Sequence, residues 1–119
     1  MEYDVVIVGG GPSGLAAAIK FAQLNQENNT NYSICLLEKG SEIGAHILSG
    51  NVFQPNALDE LIPNWKELNA PLNVPVKKDK IYYFLKNIGI SVPPFLMPEM
   101  NNHGNYIISL GNLCRWLGE

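Results

Sequence analysis

The chain has 119 residues, a formal net charge of −3 at pH 7 and a sequence pI near 5.3. Hydrophobic residues make up 46% of the chain and charged residues 16%, which is typical of a globular chain. The acidic balance argues against a nucleic-acid-binding surface, and no run approaches the roughly 20 apolar residues of a membrane-spanning helix. The length allows one small domain or part of a larger one.

The two cysteines, Cys35 and Cys114, belong to no C-x-x-C pair, so the pattern predicts two thiols and no metal ligand set. The N-terminus, MEYDVVIVGGG, begins with acidic residues and has too short an apolar run for a secretory signal. The C-terminal residues LCRWLGE fall within an amphipathic helical pattern. We therefore expect the chain to be the N-terminal part of a larger, here incomplete, domain.

The first third of the chain predicts a βαβ unit over residues 3–38. Residues 3–8 are rich in β-branched side chains and predict a strand buried on both faces. Three glycines follow, and then Pro12 suits the first turn of a helix that should fray near Asn25. Residues 32–37 predict a second buried strand, with Glu38 at its C-terminal end.

Beyond Gly50 the pattern is less regular. Asn56 is predicted to cap a short helix over residues 57–62. Residues 81–85 and 105–110 predict strands, and the proline-rich residues 91–100 predict a loop. The spacing of apolar residues near the C-terminus indicates a last helix, with Ser109 or Asn112 as its cap.

The motif Gly9-x-Gly11-x-x-Gly14 lies directly after the first strand and directly before the first helix. Gly9 allows a tight turn, Gly11 lets a pyrophosphate approach the backbone, and Gly14 lets the helix pack closely on the strand. The N–H groups at the start of the helix then face the phosphates. This context predicts an α/β, Rossmann-like FAD- or NAD(P)-binding domain.

Glu38 follows Gly14 by 24 residues, close to the roughly 20 expected for the acid that binds the adenosine ribose. Its carboxylate would repel a 2′-phosphate, so NADP is disfavoured. The spacing alone leaves FAD and NAD open. The Gly/Ser-rich continuation, EKGSEIGAHILSG, favours FAD over an NAD dehydrogenase, since the latter would usually continue into another βα unit.

Four stretches carry a narrower resemblance: EKGSEIGAHILSG, PNALDELIPNWKE, APLNVPV and MNNHGNYIISLGNLCRWLGE. In collinear order they resemble the electron-transfer-flavoprotein:ubiquinone oxidoreductase family. The resemblance implies a glutathione-reductase-like FAD fold. It also implies electron transfer from reduced electron-transfer flavoprotein, through FAD and a [4Fe–4S] cluster, to ubiquinone. The implied location is peripheral, on a bacterial inner membrane or on the matrix side of the mitochondrial one.

The resemblance and the glycine motif together give one set of expected FAD-binding residues: Gly9, Gly11, Pro12, Ser13, Gly14, Glu38, Lys39, Ser49 and Gly50. Residues 39–50 are expected to form a cofactor-side loop and residues 51–119 an extension. The quinone and iron–sulfur regions of the family are absent from this chain, and its cysteines do not match the cluster ligands. We expect no catalytic side chain and no metal ligand here.

Several alternatives stay open. The chain could belong to a related FAD-dependent reductase, geranylgeranyl-reductase-like or nitrogen-fixation-linked, or be a fragment without activity by itself. His46 and Ser49 are unsuited to hydrolysis, because no acid is placed to orient the histidine. A last set of apolar side chains could pack on the sheet or contact a membrane: Phe53, Leu58, Leu61, Ile62 and Trp65.

Overall fold

The computed structural model describes residues 2–119. The elements, in chain order, are β1 (Val5–Val8), α1 (Pro12–Glu27), β2 (Ile34–Leu37), β3 (Ser49–Phe53), α2 (Asn56–Leu61), β4 (Val74–Pro75), β5 (Ile81–Leu85), β6 (Ile88–Val92), the 3₁₀ turns Pro94–Leu96 and Pro98–Met100, β7 (Tyr106–Ser109) and α3 (Leu110–Leu117).

The first sheet has two parallel strands, β1 and β2, joined by α1. The register runs from Val5 opposite Ile34 to Val8 opposite Leu37. At the start of both strands the Asp4 carboxylate accepts hydrogen bonds from the backbone N–H and the hydroxyl of Ser33, each at 2.7 Å. The predicted α/β class is confirmed, and α1 reaches beyond the fraying predicted near Asn25.

The prediction that the first strand is buried on both faces is wrong. Side chains alternate along a strand, and in β1 only Val5 and Ile7 are half-buried. Val6 and Val8 point the other way and are 52% and 82% exposed. Within residues 2–119 the first sheet is therefore covered on one face, where Leu15 of α1 is buried.

The second sheet is antiparallel, with β7 between β3 and β4. Strands β3 and β4 were not predicted: Ser49 and Gly50 of β3 were interpreted as the end of a loop, and the two residues of β4 lie in a stretch expected to be extended but irregular. Gly50 has a φ of +82° and lies where the register between β3 and β7 shifts, so the bulge explains why a strand contains it. The hydrophobic core lies beside this sheet and comprises Leu58, Trp65, Ala70, Leu72, Ile108 and Leu113.

The helix caps correct one prediction and confirm another. Helix α2 includes Asn56 as its first residue, and Pro55 precedes it, so Asn56 is not the cap. At α3 the backbone N–H of Asn112 donates to the Ser109 hydroxyl at 3.4 Å. Ser109 is therefore the N-cap of α3, which confirms one of the two predicted candidates.

Residues 77–104 form an arm that leaves the second sheet and returns to it. At its base the N–H of Val76 donates to the carbonyl of Asn105 at 2.8 Å. The N–H of Asn102 donates to the Asp79 carboxylate, also at 2.8 Å. The arm contains the β5–β6 hairpin. The loop predicted over residues 91–100 is partly wrong, since β6 extends to Val92 before the two 3₁₀ turns.

The five apolar side chains considered for membrane contact belong mostly to the core. Leu58 and Trp65 are each only 4% exposed, and the Trp65 indole N–H donates to Asp59 at 2.7 Å. Phe53 and Ile62 are half-buried against the same cluster. The burial of these four side chains favours the packing alternative, and Leu61 is half-buried as well.

Candidate functional site

The glycine loop connects β1 to α1 at the carboxyl ends of the parallel strands. The N–H of Gly9 donates to the carbonyl of Leu37 at 2.7 Å, which continues the β1–β2 ladder into the loop. Gly9 has a φ of +108°, a conformation that other residues rarely adopt. The chain can therefore turn at once from the end of the strand into the helix.

Gly14 and Gly11 need the absence of a side chain for different reasons. A Cβ on Gly14 would overlap the carbonyl oxygen of Gly9, so a glycine is required for the helix to pack on the loop. A Cβ on Gly11 would meet no heavy atom within 4 Å. The space beside Gly11 is open, which suits the close approach of a phosphate group.

Within residues 2–119, no side chain caps the free N–H groups at the start of α1. Gly11 is the N-cap and offers no side-chain hydrogen bond, and the first turn contains no acidic residue. Pro12 occupies the first turn, and Ser13 beside it is exposed. The positive end of this 16-residue helix is thus directed at the open space, an arrangement that favours an anion.

The Glu38 carboxylate is held by backbone groups from both sides. The N–H of Gly10 donates to its Oε2 at 2.8 Å, and the N–H of Gly40 donates to its Oε1 at 2.7 Å. These two bonds, Gly40 first, hold the pKa of Glu38 below its usual value, and the charges of His46 and Lys39 lower the pKa further. Glu38 is therefore a fixed anion at the end of β2.

An ionised carboxylate has about four acceptor positions, and the two N–H groups occupy only two of them. The remaining lone pairs can accept the hydroxyls of a ribose bound beside the glycine loop. The same negative charge would repel a 2′-phosphate. The site is thus suited to a dinucleotide whose adenosine ribose carries free hydroxyls.

Of the predicted site residues, the structure brings together those of the glycine loop with Glu38 and Lys39. Ser49 and Gly50 belong to the second sheet, where Ser49 lies opposite Ser109 of β7. Their place is set by that pairing, and the predicted cofactor-side loop ends before β3 begins at Ser49. His46 lies near Gly40 and Glu38.

Two residues that shape the site were not predicted from the sequence. Gly10 and Gly40 contribute the N–H groups that orient Glu38. A Cβ on Gly10 would lie only 3.1 Å from Oε2 of Glu38, and one on Gly40 would lie 3.1 Å from Oε1. The sequence did contain a signal for both residues. Gly10 is the middle one of three consecutive glycines, and Gly40 lies two residues after Glu38.

Residues 2–119 contain no group of three His, Cys, Asp or Glu side chains suited to a metal ion. Cys35 lies in β2, and Cys114 is fully buried in α3, where burial raises the pKa of its thiol. The described helices include none that is long and apolar enough to cross a bilayer.

A family model described as an NAD(P)-binding Rossmann-like domain matches residues 7–68, which are 62 of the 119 residues. The match covers the glycine loop, α1, Glu38 and α2. The chain belongs to this Rossmann-like domain family. The Rossmann-like assignment agrees with the parallel strands and with the glycine loop at their carboxyl ends.

This Rossmann-like chain is also similar along its whole length to proteins named electron transfer flavoprotein-ubiquinone oxidoreductase. It is 60% identical to the one from Pseudomonas aeruginosa, covering 100% of this chain and 22% of the relative. It is 58% identical to the probable oxidoreductase of this name from Acinetobacter baylyi, and the match covers 100% of this chain and 21% of that relative. The mitochondrial oxidoreductase of this name from Bos taurus is 50% identical, and the match covers 99% of this chain and 19% of that relative.

The resemblance inferred from the sequence motifs is thus confirmed. The chain spans about a fifth of the length of the curated relatives that it matches. These relatives are oxidoreductases by name, from bacteria and from mitochondria.

Proposed function

We propose that this chain provides the ADP-binding part of an FAD site, in an enzyme that transfers electrons from reduced electron-transfer flavoprotein to ubiquinone. The observation that carries the proposal is the Glu38 carboxylate, fixed by Gly10 and Gly40 beside an open glycine loop. The names of relatives 50–60% identical over this chain supply the electron donor and acceptor.

The residues present fit the adenosine half of FAD. The open space at Gly11 and the uncapped start of α1 suit the pyrophosphate, and Glu38 suits the ribose. Pro12, Ser13 and Lys39 would line the same end, whereas Ser49 and Gly50 would contact a more distant part of FAD. The flavin supplies the redox chemistry when bound, and the side chains here bind and orient it.

The residues present do not fit the [4Fe–4S] cluster of the resembled family. Such a cluster needs several cysteine thiolates close together. The two cysteines lie in different elements, and Cys114 is fully buried. We therefore derive no step through a cluster from this chain.

The binding proposal is tested by titrating the purified protein with FAD, NAD and ADP while recording flavin fluorescence and thermal stability. We expect FAD to bind and to stabilise the protein more than NAD does. Glu38→Ala should weaken FAD binding about tenfold or more, since a charged hydrogen-bonding group at the ribose is lost. Stronger stabilisation by NAD would support the dehydrogenase alternative instead.

The electron-transfer proposal needs a separate assay. Reduced electron-transfer flavoprotein is supplied as donor and a soluble ubiquinone analogue as acceptor, and quinone reduction is recorded. A protein that binds FAD but passes no electrons to quinone would favour the related FAD-dependent reductases, or a chain without activity by itself.

Peripheral contact with a membrane is also proposed, now through the arm. The pairing of β5 with β6 brings six apolar side chains to one face: Ile81, Tyr83, Leu85, Ile88, Ile90 and Val92. Tyr83 is 63% exposed and Ile88 is 67% exposed. An exposed apolar face of this kind is typical of an interaction surface.

Charge favours a lipid surface as the occupant of this face. Three lysines, Lys77, Lys78 and Lys80, precede β5, and Lys86 lies in the two-residue turn at the other end. Asp79, the acid among them, accepts hydrogen bonds from Asn102. Lysines around an apolar face suit anionic headgroups, such as those of a bacterial or mitochondrial inner membrane.

A vesicle co-sedimentation assay tests the arm. We expect the pair Tyr83→Ser and Ile88→Ser to abolish binding to phosphatidylglycerol-containing vesicles. The matched control is Val52→Ser with Ile107→Ser, because these two residues share one face of the second sheet at exposed positions, 52% and 46%, as Tyr83 and Ile88 share one face of the arm. Equal binding by both double variants would contradict membrane contact through the arm.

A further inference from the structure

The loop that follows Glu38 is in direct backbone contact with the C-terminal helix, α3. Gly44 is buried and has a φ of +84°. A Cβ on Gly44 would lie 2.5 Å from the carbonyl oxygen of Gly111 and 3.1 Å from its Cα. No side chain therefore fits at Gly44 without displacing the first turn of α3.

The contact is also close, though less so, from the side of the helix. A Cβ on Gly111 would lie 3.0 Å from the carbonyl oxygen of Gly44. Gly111 is buried, like Leu113 and Cys114 of the same helix. Two glycines from distant parts of the chain thus allow the loop backbone to lie directly on the helix backbone.

Two neighbouring residues extend the contact towards the nucleotide site. Cγ1 of Ile43 would be 3.2 Å from a Cβ on Gly10, and its Cδ1 would be 2.6 Å from a Cβ on Gly118. Ile43 therefore fills the space between the glycine loop and the end of α3. Glu42 accepts a hydrogen bond from the Arg115 guanidinium at 3.0 Å, on the exposed side.

The loop also carries the N–H group of Gly40 that holds Oε1 of Glu38. Its position decides whether the carboxylate keeps the orientation that leaves two lone pairs open for the ribose. Helix α3, which itself contributes no predicted cofactor contact, packs against residues 42–44 of this loop.

We propose that Gly44 and Gly111 are positioning residues for the nucleotide site: their contact holds the loop after β2 so that Gly40 orients the Glu38 carboxylate. The proposal rests on the proposed function, because it assumes that Glu38 binds the ribose of FAD. It assigns to α3 a role in cofactor affinity, although the helix starts 72 residues after Glu38.

The test is a double-mutant cycle between Gly44→Ala and Glu38→Gln, read as the dissociation constant for FAD. If Gly44 acts through Glu38, Gly44→Ala should weaken binding about tenfold in the wild-type background and less than about twofold in the Glu38→Gln background. Equal weakening in both backgrounds would overturn the proposal, since a purely structural defect does not depend on Glu38.

Gly104→Ala is the matched control. Gly104 also has a positive φ, +89°, but a Cβ there would meet nothing within 4 Å. It should cost similar backbone strain and leave FAD affinity unchanged. Gly111→Ala is a milder second variant in case Gly44→Ala does not fold, and it should show the same dependence on Glu38.

Titration of the wild-type protein with ADP separates the two proposals. If ADP binds and FAD does not, the proposed function fails, and the same cycle is then measured with ADP. If FAD binds and the cycle is additive, only the positioning role fails. Binding of neither ligand overturns both.

Discussion

Glu38 is the residue whose surroundings say most about the site. Its place at the end of the second strand was predictable, because an acid after a buried run has a simple sequence signal. The two N–H groups that hold it were not predictable, since Gly10 and Gly40 have no side chains to attract attention. The sequence was thus enough to identify Glu38 as the acid of the site, and the structure shows how its carboxylate is oriented.

The lowered pKa of Glu38 gives a pH prediction. The ordinary pKa is 4.5, and the bonds from Gly40 and Gly10 lower it in the folded protein. The carboxylate therefore contributes stability that is fully present above pH 4.5 and is lost as the pH falls through the lowered value. We expect FAD affinity to stay level from neutral pH down to this region and to fall only below it. Glu38→Gln should remove the fall, as measured by fluorescence titration at each pH.

Substitutions at Gly14 and at Gly11 should have different effects, the first on protein stability and the second on FAD binding. Gly14→Ala forces a Cβ onto the Gly9 carbonyl, so it should cost roughly 1–3 kcal/mol in the free energy of unfolding, measured with urea. Gly11→Ala has open space around it and should leave unfolding nearly unchanged while weakening FAD binding. If Gly11→Ala bound FAD normally, the phosphates would not lie beside Gly11.

At the scale of elements, the regular pattern of residues 3–38 made β1, α1 and β2 predictable. Strands β3 and β6 were missed because each contains a glycine, Gly50 or Gly89, which suggests a turn when only the local sequence is considered. Pairing with a neighbouring strand supplies what the local sequence lacks. The bulge at Gly50 exists only because β7 lies alongside.

The cap of α3 gives a prediction at this scale. Ser109→Ala removes the side-chain acceptor for the N–H of Asn112, so it should destabilise the protein by about 0.5–1 kcal/mol, towards the low end because the bond is 3.4 Å long. Ser109→Asp should retain most of the stability, because Asp also caps helices well. Urea unfolding of both variants is the measurement. A larger loss with Asp than with Ala would contradict the capping role.

At the scale of the whole molecule, the described residues extend over 63 by 29 by 22 Å, and the arm carries many of the exposed apolar side chains. The position of the nucleotide site was predictable from the glycine motif. The contact of Gly44 with Gly111 was not, because the two residues are 67 positions apart and neither has a side chain that would indicate a partner. Contacts of this kind depend on how distant elements pack in the folded chain.

The arm gives the last prediction. Replacing residues 81–92 by a short Gly/Ser linker should change the free energy of unfolding by no more than about 1 kcal/mol, since the hairpin buries little and the base at Val76 and Asn105 is kept. FAD affinity should not change. Urea unfolding and FAD titration are the measurements, and a loss of cooperative unfolding would show that the arm is part of the core structure.

The closed base of the arm also has a consequence for the route by which the chain folds. Strands β4 and β7 must find each other across roughly thirty intervening residues, which carries an entropic cost that grows with loop length. The β5–β6 hairpin pairs residues that are close in sequence, and hairpins of this kind form in about 1–10 μs. Once formed, the hairpin brings the two ends of residues 81–92 together. The hairpin thus shortens the search that β7 must make and speeds completion of the second sheet.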